Sequence, residues 1–142
     1  MHITKTRILL VDDHTAILNK VARVLEGTCE IIGAVTDGQA AMDIAIRHSP
    51  DVILMDISLP DMNGIEVAER LIQMRTKARI VFLTVHEDPD FLKAALATGA
   101  AGYVAKSHLA TDLVAAIEEA RAGHRFVSPC LLSNPEMQSK KL

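Results

Sequence analysis

The sequence predicts an α/β protein: an open parallel sheet with helices packed on both faces. Three observations predict it. Short, continuous apolar runs recur along the chain, as strands covered on both faces require. Stretches with apolar residues at helical spacing lie between them. The two patterns alternate five times, and strand–helix alternation is the signature of parallel crossovers.

The first run is Arg7–Val11 (RILLV), and Ile17, Val21 and Val24 then mark a first helix at i, i+4, i+7. Glu30–Val35 (EIIGAV) is a weaker second strand, followed by a weaker helical stripe of Ala40, Ala41, Ile44 and Ala45. The third run is Asp51–Met55 (DVILM). Asn63-Gly64, after Pro60, turns the chain into a third helix marked by Ile65, Ala68, Leu71 and Ile72. Arg79–Thr84 (RIVFLT) is the fourth run. Asp88-Pro89 then reads as an N-cap with proline at the first helical position, ahead of Phe91, Leu92, Ala95 and Leu96. Gly102–Ala105 (GYVA) is a weaker fifth strand, and Leu109, Leu113, Ile117 and Ala120 mark a fifth helix beginning at Ser107 or Leu109. From Gly123 the pattern stops. Residues 123–142 carry two prolines and a basic end and read as a linker or C-terminal tail.

Length and composition bound the function. The 142 residues fit one domain. Lys+Arg is 15 against Asp+Glu 18, so no basic excess draws the chain to nucleic acid. Four aromatic residues (Phe82, Phe91, Tyr103, Phe126) are too few for a base-stacking surface. Cys29 and Cys130 form no CxxC pair, so no zinc or redox motif is signalled, and Cys29 reads as a small buried hydrophobe. No apolar run approaches the roughly 18–20 residues of a membrane span, and MHITKTR does not open a signal peptide. The expected location is cytoplasmic, without membrane or direct nucleic-acid contact. There is no phosphate-binding glycine loop of the GxxxxGK or GxGxxG type.

Open parallel sheets bind ligands beyond the carboxyl ends of their strands. Asp12 and Asp13 follow the first run, Asp56 the third, Thr84 ends the fourth, and Lys106 follows the fifth. Singly, each has a plain reading: a helix cap, a strand residue, a solvated lysine. Together they converge on one edge of one sheet. Three carboxylates there would repel one another unless a cation joined them. All-oxygen ligands with open water positions suit Mg²⁺ better than zinc. A lysine and a hydroxyl beside such an ion can bind phosphoryl oxygens.

VDDH (Val11–His14), LMDISLPDMNG (Leu54–Gly64), FLT (Phe82–Thr84) and GAAGYVAKS (Gly99–Ser107) together resemble the receiver domain of two-component response regulators. The resemblance runs from about Thr6 to Ala122. The DDH start and the segment Gly123–Pro129 (GHRFVSP) further resemble the NarL/FixJ (LuxR-type) subgroup, whose receivers are normally followed by a helix-turn-helix DNA-binding domain. The resemblance implies a flavodoxin-like (βα)5 fold of strand order 2-1-3-4-5. It implies a receiver over residues 1–122, with 123–142 too short for a DNA-binding domain.

It also implies site roles. Asp56 would accept the phosphoryl group, in a Mg²⁺-dependent transfer from a sensor histidine kinase or phosphotransfer protein. Asp13 and Asp56 would hold Mg²⁺ directly, Asp12 through water, and Ser58 through its backbone carbonyl. Lys106 and Thr84 would contact the phosphoryl oxygens, and Tyr103 would rotate with Thr84. The fourth helix, fifth strand and fifth helix would repack to control an attached DNA-binding domain. That surface, or the first and fifth helices, would form a homodimer, and His14, Thr15, Ile17 and Leu18 would dock the kinase.

The sequence departs from the family pattern at Ser107 and Val85. Ser107 stands where proline commonly follows the lysine, so the Lys106–Ser107 peptide is expected to be trans. Val85 follows Thr84 where small residues are common, which would narrow access to the site. Ser58 and His86 occupy positions that tune dephosphorylation. His86 reads as a solvent-facing loop residue, and His14 as a surface or partner-contact residue rather than a ligand. Two other functions compete: an aspartyl-phosphate phosphatase, disfavoured because Ser58 replaces the acid two residues beyond the nucleophile, and a receiver-like module that takes no phosphate.

Overall fold

The structure, a computed structural model, describes residues 5–85 and 89–132. His86 and Asp88 lie outside the described residues. The elements alternate as β1 (Thr6–Val11), α1 (Thr15–Leu25), β2 (Cys29–Val35), α2 (Gly38–His48), β3 (Val52–Asp56), α3 (Gly64–Gln73), β4 (Arg79–Thr84), α4 (Pro89–Ala97) and β5 (Gly102–Ala105). A 3₁₀ turn (Lys106–His108), α5 (Leu109–Arg121), β6 (Phe126–Val127) and a one-turn α6 (Pro129–Leu132) follow. The strands form one parallel sheet of order β2-β1-β3-β4-β5-β6. This is the expected 2-1-3-4-5 order with a sixth strand added.

The continuous apolar runs are explained by alternation across a sheet covered on both faces. Ile8, Leu10, Val52, Leu54, Val81, Leu83 and Val104 join one core with Val21 and Leu25 of α1 and Leu109 and Leu113 of α5. Leu9, Val11, Ile53, Met55, Ile80, Phe82 and Tyr103 join the other with residues of α2, α3 and α4. β2 was a weaker signal because it is an edge strand, only partly buried along its length. In α3 the buried stripe is Ile65, Val67, Ala68 and Leu71, whereas Ile72, placed on that stripe by its spacing, is 38% exposed.

The reading of residues from Gly123 as a tail is corrected up to Leu132. Gly123, at φ +84°, takes the left-handed turn after α5 that favours glycine. The chain then lays Phe126–Val127 along β5. The Phe126 amide donates to the Ala101 carbonyl at 2.9 Å and the Ser128 amide to the Tyr103 carbonyl at 3.0 Å. Ser128 is fully buried, and its Oγ accepts the Ala105 amide at 3.0 Å. Leu131 of α6 closes onto the core that holds Tyr103. A two-residue strand has no period to read, so this element was invisible in the sequence. It also means that β5 is not an open edge of the sheet, so the surface expected from α4, β5 and α5 is bordered by β6 and α6.

No described helix is long and apolar enough to cross a membrane.

Candidate functional site

From β1 the chain passes to β2 on one side, and β3 takes the other side of β1. Such a reversal opens a crevice at the carboxyl ends of the two strands between the diverging loops. Asp12 follows the last residue of β1 and Asp56 is the last residue of β3, so both acids sit at this crevice.

Both are buried, Asp12 at 0% and Asp56 at 3% exposure, although carboxylates are rarely so unless paired. Their shared partner is Lys106, itself 6% exposed. Its Nζ lies 2.6 Å from Asp12 Oδ2 and 3.3 Å from Asp56 Oδ2. No hydrogen-bond donor otherwise meets these two buried oxygens among the described residues. The 3₁₀ turn beginning at Lys106 carries the lysine inward straight off β5. Asp13 is exposed beside them.

One carboxylate oxygen from each of Asp12, Asp13 and Asp56, with the His14 imidazole, lies within 4.8 Å of the others. Unit charges at that spacing repel by roughly 3 kcal/mol per pair at an effective dielectric of about 20. One lysine against three carboxylates leaves the cluster anionic. Burial pushes the Asp56 carboxyl above the ordinary carboxylate range and the neighbouring Asp12 pushes the same way, while Lys106 and the Ser58 amide oppose them. These hard oxygen donors fit a small divalent cation, which would sit beside the shared lysine.

The loop after Asp56 is fixed by its own hydrogen bonds. The Ser58 amide donates to Asp56 Oδ1 at 3.2 Å, and Ser58 and Asn63 form an antiparallel bridge. The Asn63 side chain caps α3 by accepting the Ile65 amide at 2.7 Å. The Gly64 amide donates to the Ile57 carbonyl at 2.7 Å. A Cβ on Gly64 would lie 2.0 Å from the Asp56 carbonyl oxygen, so only glycine lets α3 start this close to the acid. Asp61, in the same loop, accepts the Gly38 amide at 2.8 Å and the Gln39 amide at 3.1 Å, tying the loop to the start of α2. These bonds, the Gly38 amide first, hold the Asp61 carboxyl below the ordinary range.

The remaining expected residues fall around this centre. Thr84 ends β4, 1% exposed, beside Ala105 on β5 and one residue past the level of Asp56 on β3. Tyr103 is fully buried, its ring 6.4 Å from that of Phe82. Lys106–Ser107 is trans, as are all described peptides. Val85 is 74% exposed and so points away from the packed interior.

Two features of the site carry no signal in the sequence. His14 is a surface residue, 61% exposed, and its Nδ1 lies 2.9 Å from Asp12 Oδ1, 3.1 Å from Asp13 Oδ1 and 3.8 Å from Asp56 Oδ2. Gly64 was read as a turn residue, and its close approach to Asp56 is a property of three dimensions only.

Comparison with known proteins agrees with this geometry. Residues 8–118 match the family model described as response regulator receiver domain. The chain is 32% identical over 140 residues to the transcriptional regulatory protein DegU of Brevibacillus brevis, covering 97% of this chain and 59% of that protein. It is 31% identical over 136 residues to the response regulator GacA of Pseudomonas aeruginosa, covering 94% and 63%. The chain thus spans about 60% of the length of these curated relatives. A two-component response regulator of the LuxR family from Aurantimonas sp. SI85-9A1 superposes with a TM-score of 0.88 at 33% identity, covering 97% of this chain and 99% of that one. The receiver domain of a putative NarL from Mycobacterium tuberculosis gives 0.81 at 31% identity, covering 86% and 100%. A buried acidic crevice served by one lysine, on this fold and among these relatives, means that the chain belongs to the response-regulator receiver domain family, beside regulators of the NarL, DegU and GacA type.

Proposed function

We propose that this chain is a phosphorylation switch in which Asp56 accepts a phosphoryl group from the phosphohistidine of a sensor kinase or phosphotransfer protein. The observation that carries the reading is the buried Asp56 carboxylate, held by the Ser58 amide on one oxygen and facing Lys106 with the other. A carboxylate so placed is a fixed nucleophile. Asp56 attacks phosphorus, the phosphorus–nitrogen bond breaks with its electron pair going to nitrogen, and the donor ring, protonated at its other nitrogen, leaves as neutral imidazole. Phosphoryl transfer asks mainly for positioning and charge neutralisation. Lys106 supplies one positive charge at the acceptor, and Thr84 is at the right strand end to donate its hydroxyl to a phosphoryl oxygen. Asp12, Asp13, Asp56 and the Ser58 carbonyl would hold Mg²⁺, which, when bound, neutralises charge on the transferring group.

The product carries about −1.5 to −2 charge and three acceptor oxygens. Lys106 is then drawn from Asp12 toward the phosphoryl group, and Thr84 with it. Tyr103, two residues before Ala105 on the same strand, adjusts to the space beside Thr84, so the α4–β5–α5 surface repacks. The repacked surface would govern self-association, by that face or by α1 and α5, and through it an attached DNA-binding domain. α1, with Thr15 exposed and Ile17 and Leu18 half-buried, would receive the kinase.

The test is incubation with Mg²⁺ and a small acyl-phosphate donor, followed by intact mass spectrometry. The expected result is one phosphate increment in the wild type and none in Asp56→Ala. No increment in the wild type, as for a module that takes no phosphate, or an equal increment in Asp56→Ala, overturns the reading. Sustained turnover of diverse phosphate esters would instead favour the phosphatase.

A further inference from the structure

The exposed apolar side chains of this molecule are not scattered. Among the described residues the large ones are Ile46, Ile72, Met74 and Val85. All but Val85 lie at the amino end of the sheet, where α2 and α3 finish. There Ile46 (60% exposed) and Met74 (48%) flank a groove of about 430 Å³. Single exposed apolar residues are ordinary, whereas a cluster marks a contact surface. The rim carries Arg75 and Lys77 and no acid. Both are exposed, and neither forms an ion pair with a described residue. Backbone strain gathers at the same rim. Ser49 (φ +44°) and Arg75 (φ +61°) line the groove and are the only non-glycine residues in the left-handed region among the described residues. Such outliers concentrate where a surface is used. Arg75 follows the end of α3, a position that favours glycine because glycine lacks a Cβ. An arginine held there keeps a cation at the rim.

The same chain carries the matching surface. Between α3 and α4 a second groove, of about 500 Å³, is lined by Ile65, Phe91 and Ala94 with Glu66, Glu69 and Asp90, and no cation is in its lining. Glu66 shares the exposed Arg70 at 2.9 Å. We propose that Ile46 and Met74 of one copy seat in the α3–α4 groove of a second copy, with Arg75 and Lys77 against Glu66 and Glu69. Apolar contact supplies the affinity, and the opposed charges set partner and register. Methionine is unbranched and flexible, so it fills an irregular apolar groove. Two different patches meet, so the contact is heterologous. Each copy leaves one patch open, and association continues head to tail instead of closing as a two-fold dimer. This separates the contact from a homodimer through α4–β5–α5 or α1 and α5, and it needs no phosphate on Asp56. An anionic bilayer would also attract the basic rim, but the chain's net charge of −3 opposes that approach.

The test is sedimentation velocity of the full chain over a concentration series at low salt. The wild type is compared with Arg75→Glu/Lys77→Glu, Glu66→Lys/Glu69→Lys and Met74→Ser. Every substituted position is exposed, so the variants should melt as the wild type does. The expected result is a wild-type mass that rises with concentration beyond that of a dimer and falls back in high salt. Each double variant should stay monomeric alone, because its two patches then carry like charge, and mixing the two should restore association. Met74→Ser should weaken association by about tenfold, the scale of one buried apolar side chain. A wild type that stays monomeric, growth that stops at a dimer, or mixing that restores nothing overturns the proposal. A monomeric wild type that instead sediments with phosphatidylcholine–phosphatidylglycerol vesicles, and loses this in Arg75→Glu/Lys77→Glu, overturns it in favour of a bilayer.

Discussion

The two ends of this sheet treat their acids differently. At the amino end, Asp51 precedes β3, and its Oδ2 accepts the Arg7 amide at 2.8 Å. Its own amide donates to the Arg7 carbonyl, and its carbonyl accepts the Arg79 amide, both at 2.9 Å. The acid stitches β1, β3 and β4 together. At the carboxyl end, Asp12 and Asp56 are more deeply buried and share one lysine. One end uses a carboxylate to complete a backbone ladder; the other concentrates carboxylates beyond what its neighbours neutralise. Charge held at a net cost to stability marks the end that works.

Substitutions at each end sharpen this contrast. The largest effect is expected at Gly64→Ala, whose Cβ would meet the Asp56 carbonyl oxygen and force the loop off β3. Stability should fall by about 3 kcal/mol, the upper part of the usual overpacking range, in a urea melt. Phosphate uptake should fall with it; a normal melt and normal uptake would show that the loop is not rigid. Asp51→Ala should cost about 1–2 kcal/mol by leaving the Arg7 amide without its acceptor. Phosphate uptake should be unchanged, and a loss of uptake at constant stability would break the division between the ends.

Asp56→Asn has the smallest effect and the opposite sign. Without divalent cations it should raise the melting temperature by roughly 3 °C near neutral pH, the scale of 1 kcal/mol in a domain of this size. The folded-state carboxyl is shifted up by burial. Wild-type stability from this group is therefore full below the unfolded carboxylate range and lost as pH rises through the folded value. The advantage of the variant should appear as pH rises and vanish in acid. A variant less stable than wild type at neutral pH would mean that Lys106 more than offsets the burial of Asp56.

Much of this was legible in order. Leu9 to Val11 and Ile53 to Met55 are apolar without interruption because both faces are covered, and a buried strand that runs straight into aspartate announces the sheet edge. Asp12, Asp13, Asp56 and Lys106 are therefore gathered by the sequence alone. What escaped depends on direction or closeness. Nothing in the string VDDH says that the His14 ring turns back over the acids rather than out to solvent. Nothing in Asn63-Gly64 gives the separation between Gly64 and the backbone of Asp56. Phe126–Val127 is too short to carry an alternation, so its pairing with β5 had no signal.

That last pairing bears on where the folding unit stops. Phe126, Ser128 and the Ser128 hydroxyl occupy the outward hydrogen-bonding groups of Ala101, Tyr103 and Ala105. A chain cut after Ala122 would leave those three groups bare on a strand of small and apolar residues. Such a rim is a template for another strand, and a second molecule is the nearest supplier. Trimming at the limit of the strand–helix repeat would therefore uncover an edge on β5 that β6 and Ser128 otherwise occupy.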